Sequence, residues 1–446
     1  LTPKQPSLRL TPARGSLMQG SLPFALLTPS HQPARPLGPC LTLPEWELYK
    51  QDHPGKWGSV LAIDFETHGL DPWSEEFEPV GLGLTGGEYD SIYIILRGAE
   101  PGALANVVRY LHQFKLLAHN VLFDAAVLRW CERRSGVPSA WPWLGCTYAL
   151  AQQLAGEGWE GQSWGLKSLM KTLLLWPDTN EAELDGWLIG HGYFKVNHAK
   201  QNVVSKADMW RAPDEILGKY CKLDTEACWL LWSKILLPVA RKHPVSEFYQ
   251  TGLTMELFRR LLDQQDRGIL IDVPQLKAHK ESLELAITLK FGQWRLRADV
   301  APHMQTYEDL QFDMLLAKQP KWLTKDGLVS KNWESWRQKV EDLEQVPCHF
   351  SYSSPKDLSW LFYGRMGCEV LIETEGEKPA TNDKALSAFG PAGQALLAVI
   401  DLETELRYVE GCLANVNSEG ILRPKFSYGT ITGRLKGGLG KDWHRR

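Results

Sequence analysis

The chain has 446 residues, 43% of them hydrophobic and 23% charged. These values exclude disorder, collagen and coiled coil as descriptions of the whole, and at ~150 residues per domain the length points to about three domains. Subtracting 53 acidic from 49 basic side chains leaves a formal charge of −4, so no global positive field marks a nucleic-acid partner and such binding must use local patches.

The segment from Leu1 to Pro44 contains no Asp or Glu and is dense in Pro, Ser and Leu. It is expected to be a flexible, Pro-rich tail (1–44); Pro29, Pro33, Pro36 and Pro39 oppose the amphipathic helix an organellar targeting peptide requires. From Gly58 onward, short apolar runs bounded by turn signals predict strands at Ser59–Phe65, Val80–Thr85, Ser91–Leu96 and Lys115–His119. Helical periodicity marks Ala103–Phe114, Phe123–Arg134, Trp164–Trp176 and Asp214–Arg241. Strands mixed with helices imply an α/β domain over 45–243 with a mixed central sheet. After Pro244 the strand signal nearly vanishes, and helices are expected at Val245–Gln265, Val273–Arg297, Pro355–Met366 and Gly390–Asn415. A polar stretch near Ala317–Lys331 interrupts this mainly helical second region (244–446). No window reaches the ~18 consecutive apolar residues of a membrane helix, so no membrane partner is expected. The eight cysteines lack C-x-x-C spacing, which fits neither a zinc site nor a disulfide scaffold; a reducing, cytoplasmic setting is the expectation.

Three places in the α/β region put a carboxylate at the end of an apolar element or on its face. Asp64 and Glu66, in LAIDFETHGLD, sit two apart at the end of an apolar strand, so both emerge on one face. An unpaired carboxylate there costs several kcal/mol, which a divalent cation would offset. Asp124, in LLAHNVLFDAAVL, falls in the first turn of a helix that follows a strand through Asn120 and is expected to bury Phe123, Val127 and Leu128. Alone it reads as an acid near the positive end of a helix dipole. Tyr220 and Asp224, in LGKYCKLDTEACWLLW, lie i, i+4 on one helix face.

Together, in this order, the three motifs resemble those of the DEDD 3′→5′ exonucleases, and Tyr220 four residues before Asp224 places the resemblance in the tyrosine subclass. The resemblance implies a ribonuclease H-like fold and two divalent cations, Mg2+ or Mn2+, held by Asp64, Glu66, Asp124 and Asp224. In the family pattern Asp64 bridges both ions, Glu66 and Asp224 complete the nucleophile-side ion, Asp124 serves the other, and Tyr220 orients the attacking water. Thr67, Leu70, Asn120 and Phe123 correspond to contacts with the terminal nucleotide and strand. His68, in an expected loop, and His119, at an expected strand end, lie nearby without a place in the metal set.

The second region adds LDQQDRGILID (Leu262–Asp272), FSYSSPKDL (Phe350–Leu358) and LRPKFSYGTITGRL (Leu422–Leu435). These landmarks resemble the thumb and the start of the palm in family A DNA polymerases of the bacterial polymerase I and podophage type. By that resemblance Thr432 and Arg434 approach the phosphates of a primer-template duplex. Cys146-Thr147 stands where many relatives carry Asp-Thr. The likeness runs from about Ser59 to Leu435 and stops before the palm carboxylates and fingers helix, so a proofreading exonuclease without polymerase activity is the leading expectation, acting on single-stranded or frayed 3′ ends in a bacterial or phage-infected cell. A DEDD-type exoribonuclease, a split-polymerase subunit that binds a separate palm and fingers polypeptide, and a gene fragment are the competing expectations.

Overall fold

Six short strands form one mixed sheet in the structure, a computed structural model that describes residues 36–53, 55–87, 90–155, 163–176, 181–196, 202–204, 206–242, 249–324, 328–345, 350–374, 376, 378–428 and 435–438. The strands are β1 (Cys40–Leu41), β2 (Val60–His68), β3 (Glu78–Thr85), β4 (Ile92–Ile95), β5 (Lys115–Ala118) and β6 (Trp143–Cys146), in spatial order β1-β4-β3-β2-β5-β6. β2 pairs antiparallel with β3 and parallel with β5, which makes the sheet mixed. The helices that cover it are α1 (Leu43–Asp52), α2 (Pro101–Leu111), α3 (Val121–Ser135), α4 (Thr147–Ala155), α5 (Leu166–Thr172), α6 (Glu181–Gly190), α7 (Asp214–Leu230), α8 (Leu237–Arg241) and α9 (Met255–Arg267).

The period-2 alternation of β2 sorts its side chains. Leu61, Ile63 and Phe65 enter a core shared with Leu104 and Val108 of α2, Val127 and Leu128 of α3, and Phe258 and Leu262 of α9. Ala62 points the other way, into a second core with Leu150, Leu169, Met170, Leu223 and Ala227. Each such Leu or Ile contributes ~1.5–3 kcal/mol on leaving water. Asp64 and Glu66 share the parity of Ala62 and so face the side covered by α4, α5 and α7. A register shift in β2 between Glu66 and Thr67 ends the regular pairing beside them.

Glycines on β3 let α7 approach this face. A Cβ on Gly83, which pairs with Asp64, would lie 2.8 Å from Cys221 Sγ and 2.9 Å from Thr225 Cγ2. Buried hydroxyls then fix the helix: Thr85 Oγ1 donates to Ser91 Oγ (2.6 Å) and bonds Thr225 Oγ1 at 2.9 Å, and Ser91 Oγ donates to Glu226 Oε2 at 3.0 Å. The expected single helix Asp214–Arg241 is continuous in path but passes through a π-turn at Leu231–Leu236 between α7 and α8. Pro238, in the first turn of α8, cannot donate a helical hydrogen bond, which favours such a turn.

Two expectations change at the edges of this unit. The tail expected to reach Pro44 is structured before that point. Gly38 N–H donates to Ser91 O (2.8 Å), Tyr93 N–H donates to Pro39 O (3.1 Å), and Cys40–Leu41 is the edge strand beside β4. A proline is tolerated there because its carbonyl alone is needed. The unit also extends past the expected boundary at 243: described residues to Arg267 belong to it, together with Pro424–Tyr428 and Leu435–Gly438. In α9, Met255, Phe258, Leu261 and Leu262 form a buried stripe. Asp266 accepts from Trp73 Nε1 (2.9 Å), Arg129 (2.6 Å) and Arg133 (2.8 Å).

The second unit, Gly268–Arg423, holds α10 (Val273–Arg295), α11 (Ala301–Leu316), α12 (Lys331–Gln345), α13 (Pro355–Ser359), α14 (Asp383–Ala388) and α15 (Gly390–Asn415). α10 and α15 pack together, and the indole N–H of Trp294 donates to Ala392 O at 2.9 Å beside Tyr307, Phe350, Phe362 and Leu396. Among its described residues the unit is mainly helical, as expected, with a short antiparallel pair, Ile269–Leu270 (β7) and Ile421–Leu422 (β8). No helix among the described residues is long and apolar enough to cross a membrane.

Candidate active site

Strand β2, helix α3 and helix α7 bring four carboxylates to one place. Asp124 is 3% exposed, Asp224 7% and Glu66 9%, while Asp64 is half-buried. Asp124 Oδ1 accepts the backbone N–H of Phe65 at 3.1 Å, which seats the start of α3 against β2 between Asp64 and Glu66. Cys221, one residue after Tyr220 on α7, donates its S–H to Asp64, with Sγ 3.4 Å from the carbonyl and 3.5 Å from Oδ2. Ligand atoms of Asp64, Glu66 and Cys221 lie within 4.8 Å of one another.

The electrostatics follow from this crowding. Burial, then the Asp224 charge, pushes the Asp64 carboxyl up to about 7. Burial raises Glu66 well above the usual carboxylate range, with Asp64 and Asp224 adding to it. Asp124 rises for the same reason, and the Phe65 N–H opposes the shift. Burial also raises Asp224, against the pull of Lys167 and a hydrogen bond from Tyr220. The Tyr220 phenol is raised chiefly by burial, with the Asp224 charge second, so it keeps its proton.

The residues expected to contact nucleic acid lie around this cluster with differing exposure. Leu70, 53% exposed, follows the end of β2, Asn120 is exposed just ahead of α3, and Thr67 Oγ1 donates to Gly69 O at 2.7 Å. Phe123, expected to be buried, is only partly so and packs at the margin of the first core. It occupies the exposed side of the first turn of α3, while Val127 and Leu128 point inward. His68 is the last residue of β2 rather than part of a loop, and its ring lies 4.0 Å from that of Trp210. His119 bonds Thr147 Oγ1 through Nδ1 at 2.8 Å. Thr432 and Arg434 fall outside the described residues.

Sequence reasoning passed over Lys167 and Cys221. Lys167 sits on α5, forms an ion pair with Asp224 Oδ1, and holds Nζ 4.0 Å from the centroid of the Tyr220 ring. Its sequence context, LKSLMKTLL, offers only one signal: Lys167 lies beside the apolar stripe formed by Leu169, Met170 and Leu173.

No family model matches the chain. It is 21% identical over 412 residues to a DNA polymerase of Bacillus phage SP01, covering 85% of this chain and 42% of that protein, so it spans less than half the relative's length. Its structure is similar to the POL domain of Pol1 from M. smegmatis, solved in complex with DNA primer-template and dNTP. The TM-score is 0.52 at 15% identity, covering 90% of this chain and 54% of that one. The chain is thus similar to DNA polymerases in sequence and in fold.

Proposed function

We propose that the unit built on the six-stranded sheet is a ribonuclease H-like, metal-dependent 3′→5′ DNA exonuclease of the DEDD tyrosine subclass, the proofreading part of a family A DNA polymerase. The observation that carries this reading is the convergence of Asp64, Glu66, Asp124 and Asp224, from segments spread over Asp64–Asp224, with Tyr220 one helical turn from Asp224.

The donor set fits hard divalent cations. The four carboxylates lie close enough to raise one another electrostatically, and among the described residues Lys167 pairs with one of them, Asp224. Oxygen-rich sites of this charge suit Mg2+ or Mn2+. When bound, two such cations would neutralise the carboxylates, activate water and stabilise the departing 3′ oxygen. Asp64, Glu66 and Asp224 would hold one of them, and Asp64 with Asp124 the other.

The chain's own residues account for the rest. Tyr220 keeps its proton and orients the attacking water through its hydroxyl. The water oxygen bonds to phosphorus, the bond to the 3′ oxygen breaks, and the 3′ oxygen takes a proton; the products are a 5′-mononucleotide and a strand shortened by one residue. Leu70 would wedge the terminal base from its neighbour, and Thr67, Asn120 and Phe123 would hold the unpaired strand. Thr432 and Arg434 would contact duplex phosphates, a reading that rests on sequence resemblance.

The test is degradation of a 5′-labelled single strand in Mg2+. The wild-type chain shortens it stepwise, and Asp64→Ala and Asp224→Ala leave it intact. Full activity in both variants would sink the metal assignment, and a strong preference for a matched RNA strand would replace DNA as the substrate.

A further inference from the structure

We propose that Lys167 serves this site as a tethered ammonium that holds Asp224 and Tyr220 together until divalent cations arrive, yields Asp224 to them, and then lends its charge to the substrate phosphate. The inference rests on the exonuclease reading.

One nitrogen contacts both partners. Lys167 Nζ forms the ion pair with Asp224 Oδ1 and lies 4.0 Å from the Tyr220 ring centroid, a cation–π distance. Both ends of the pair are largely enclosed, with side-chain exposures of 19% for Lys167 and 9% for Asp224. The helix that carries Lys167 is anchored by Leu169, Met170 and Leu173, each almost wholly buried, so the ammonium is delivered by a fixed element. A buried carboxylate needs a cation, and Lys167 supplies one to Asp224. The oxygen it occupies belongs to one of the four carboxylates available for divalent ions.

Competition follows from Coulomb's law. A divalent ion on Asp224 and an ammonium on the same oxygen repel each other, so one displaces the other. The stem of Lys167 is flexible and its charge compact, so it can leave Asp224 while remaining beside Tyr220. Beside Tyr220, which the exonuclease reading assigns to the attacking water, its positive charge would favour the transition state over the bound ground state.

A purely structural ion pair predicts the opposite sign in one measurement. If Lys167 only fastens α5 to α7, removing it loosens the site and leaves Mn2+ binding equal or weaker. If it competes, removing it tightens Mn2+ binding while slowing the reaction. The experiment uses the full chain as wild type, Lys167→Met and Lys167→Arg, with Lys167→Gln in reserve should the Met variant not fold, and thermal melting to establish folding. Mn2+ binding is read by electron paramagnetic resonance without DNA, and kcat and KM are read on single-stranded DNA.

The expected result in Lys167→Met is a Mn2+ dissociation constant lowered by about threefold or more, from relief of like-charge repulsion. At saturating Mn2+, kcat should fall by about tenfold or more with KM little changed, the mark of an interaction made in the transition state. Lys167→Arg should recover part of kcat. Unchanged or weakened Mn2+ binding, or a kcat equal to wild type, would overturn the proposal. A wild-type chain that does not shorten DNA would instead remove the exonuclease reading, while the Mn2+ comparison would still report on Lys167.

Discussion

The backbone N–H of Phe65 donates to Asp124 Oδ1 at 3.1 Å, tying β2 to α3 at the residue between Asp64 and Glu66. Asp124 therefore carries both a charge and an acceptor, and two substitutions separate them. Asp124→Asn keeps an oxygen for Phe65 and removes a charge that Asp64 repels. It should leave metal-free stability equal or higher while lowering the proposed exonuclease activity by about a hundredfold or more. Asp124→Ala should lose the same activity and also about 1–3 kcal/mol of stability, because the Phe65 N–H is left unpaired. Urea midpoints in EDTA and mononucleotide release in Mg2+ check the pair; equal stability of the two variants would show that the hydrogen bond contributes nothing.

Mn2+ should stabilise the fold through the same carboxylates. A ligand that binds only the native state at about 100 times its dissociation constant contributes about 2.7 kcal/mol. Thermal melting with and without Mn2+ should show an upward shift for wild type and a much smaller one for Asp64→Asn and Asp224→Asn. An equal shift in all three proteins would place the bound ion elsewhere.

The parts of this site that were legible in the sequence are those where local periodicity and chemistry coincide. Asp64 and Glu66 share a face because a strand alternates, and the apolar run before them marks that strand as buried. Asp124 follows a strand-to-helix junction, and Tyr220 and Asp224 follow helical spacing. Lys167 was illegible because a lysine beside an apolar stripe looks the same whether it meets solvent or a carboxylate brought from 57 residues away. The strands Cys40–Leu41 and Trp143–Cys146 exist through pairing with distant partners, which no local window contains. Helices α11 and α12 went unread because they bury so little: α11 buries only Met304 and Tyr307. The polar stretch near Ala317–Lys331 is the connection between them.

Gly83 should be intolerant of even one added carbon. It pairs with Asp64 on β2, and a Cβ there meets Cys221 and Thr225 of α7 at under 3.0 Å. Relieving that contact moves α7, and Asp224 with it, away from Asp64. Gly83→Ala should cost about 1–3 kcal/mol in stability. It should lower kcat further than the stability loss explains, since ~1 Å of misplacement can cost about a hundredfold in rate. Retention of full kcat in the folded variant would show that α7 position is not critical.

Asp266 lies in the LDQQDRGILID landmark, yet within the first unit it works as a clamp. It takes hydrogen bonds from Trp73, Arg129 and Arg133, and Asp263 adds a second ion pair to Arg129 at 2.7 Å. Arg129 is half-buried, so losing Asp266 strands part of its charge. Asp266→Ala should destabilise the unit by about 2–4 kcal/mol. Proteolysis should then open the segment at α9 first, as local unfolding would have it. A change below about 0.5 kcal/mol, typical of a surface pair, would refute the clamp.

His119 gives the fold a pH dependence whose sign is set by burial. Enclosure pushes its imidazole down to about 4, while Nδ1 stays paired with Thr147 Oγ1 at 2.8 Å. In the unfolded chain the ring titrates near ~6.5, so the folded state holds the proton less tightly than the unfolded one. The contribution of neutral His119 is therefore complete above about pH 6.5 and is lost as pH falls toward 4. His119→Asn cannot titrate. In EDTA, the urea midpoint of wild type should fall more steeply than that of the variant between about pH 6.5 and 4.5. Taking the difference between the two proteins cancels the carboxylates, which titrate in both. Parallel curves would mean that His119 takes up its proton in the folded state as readily as in the unfolded one.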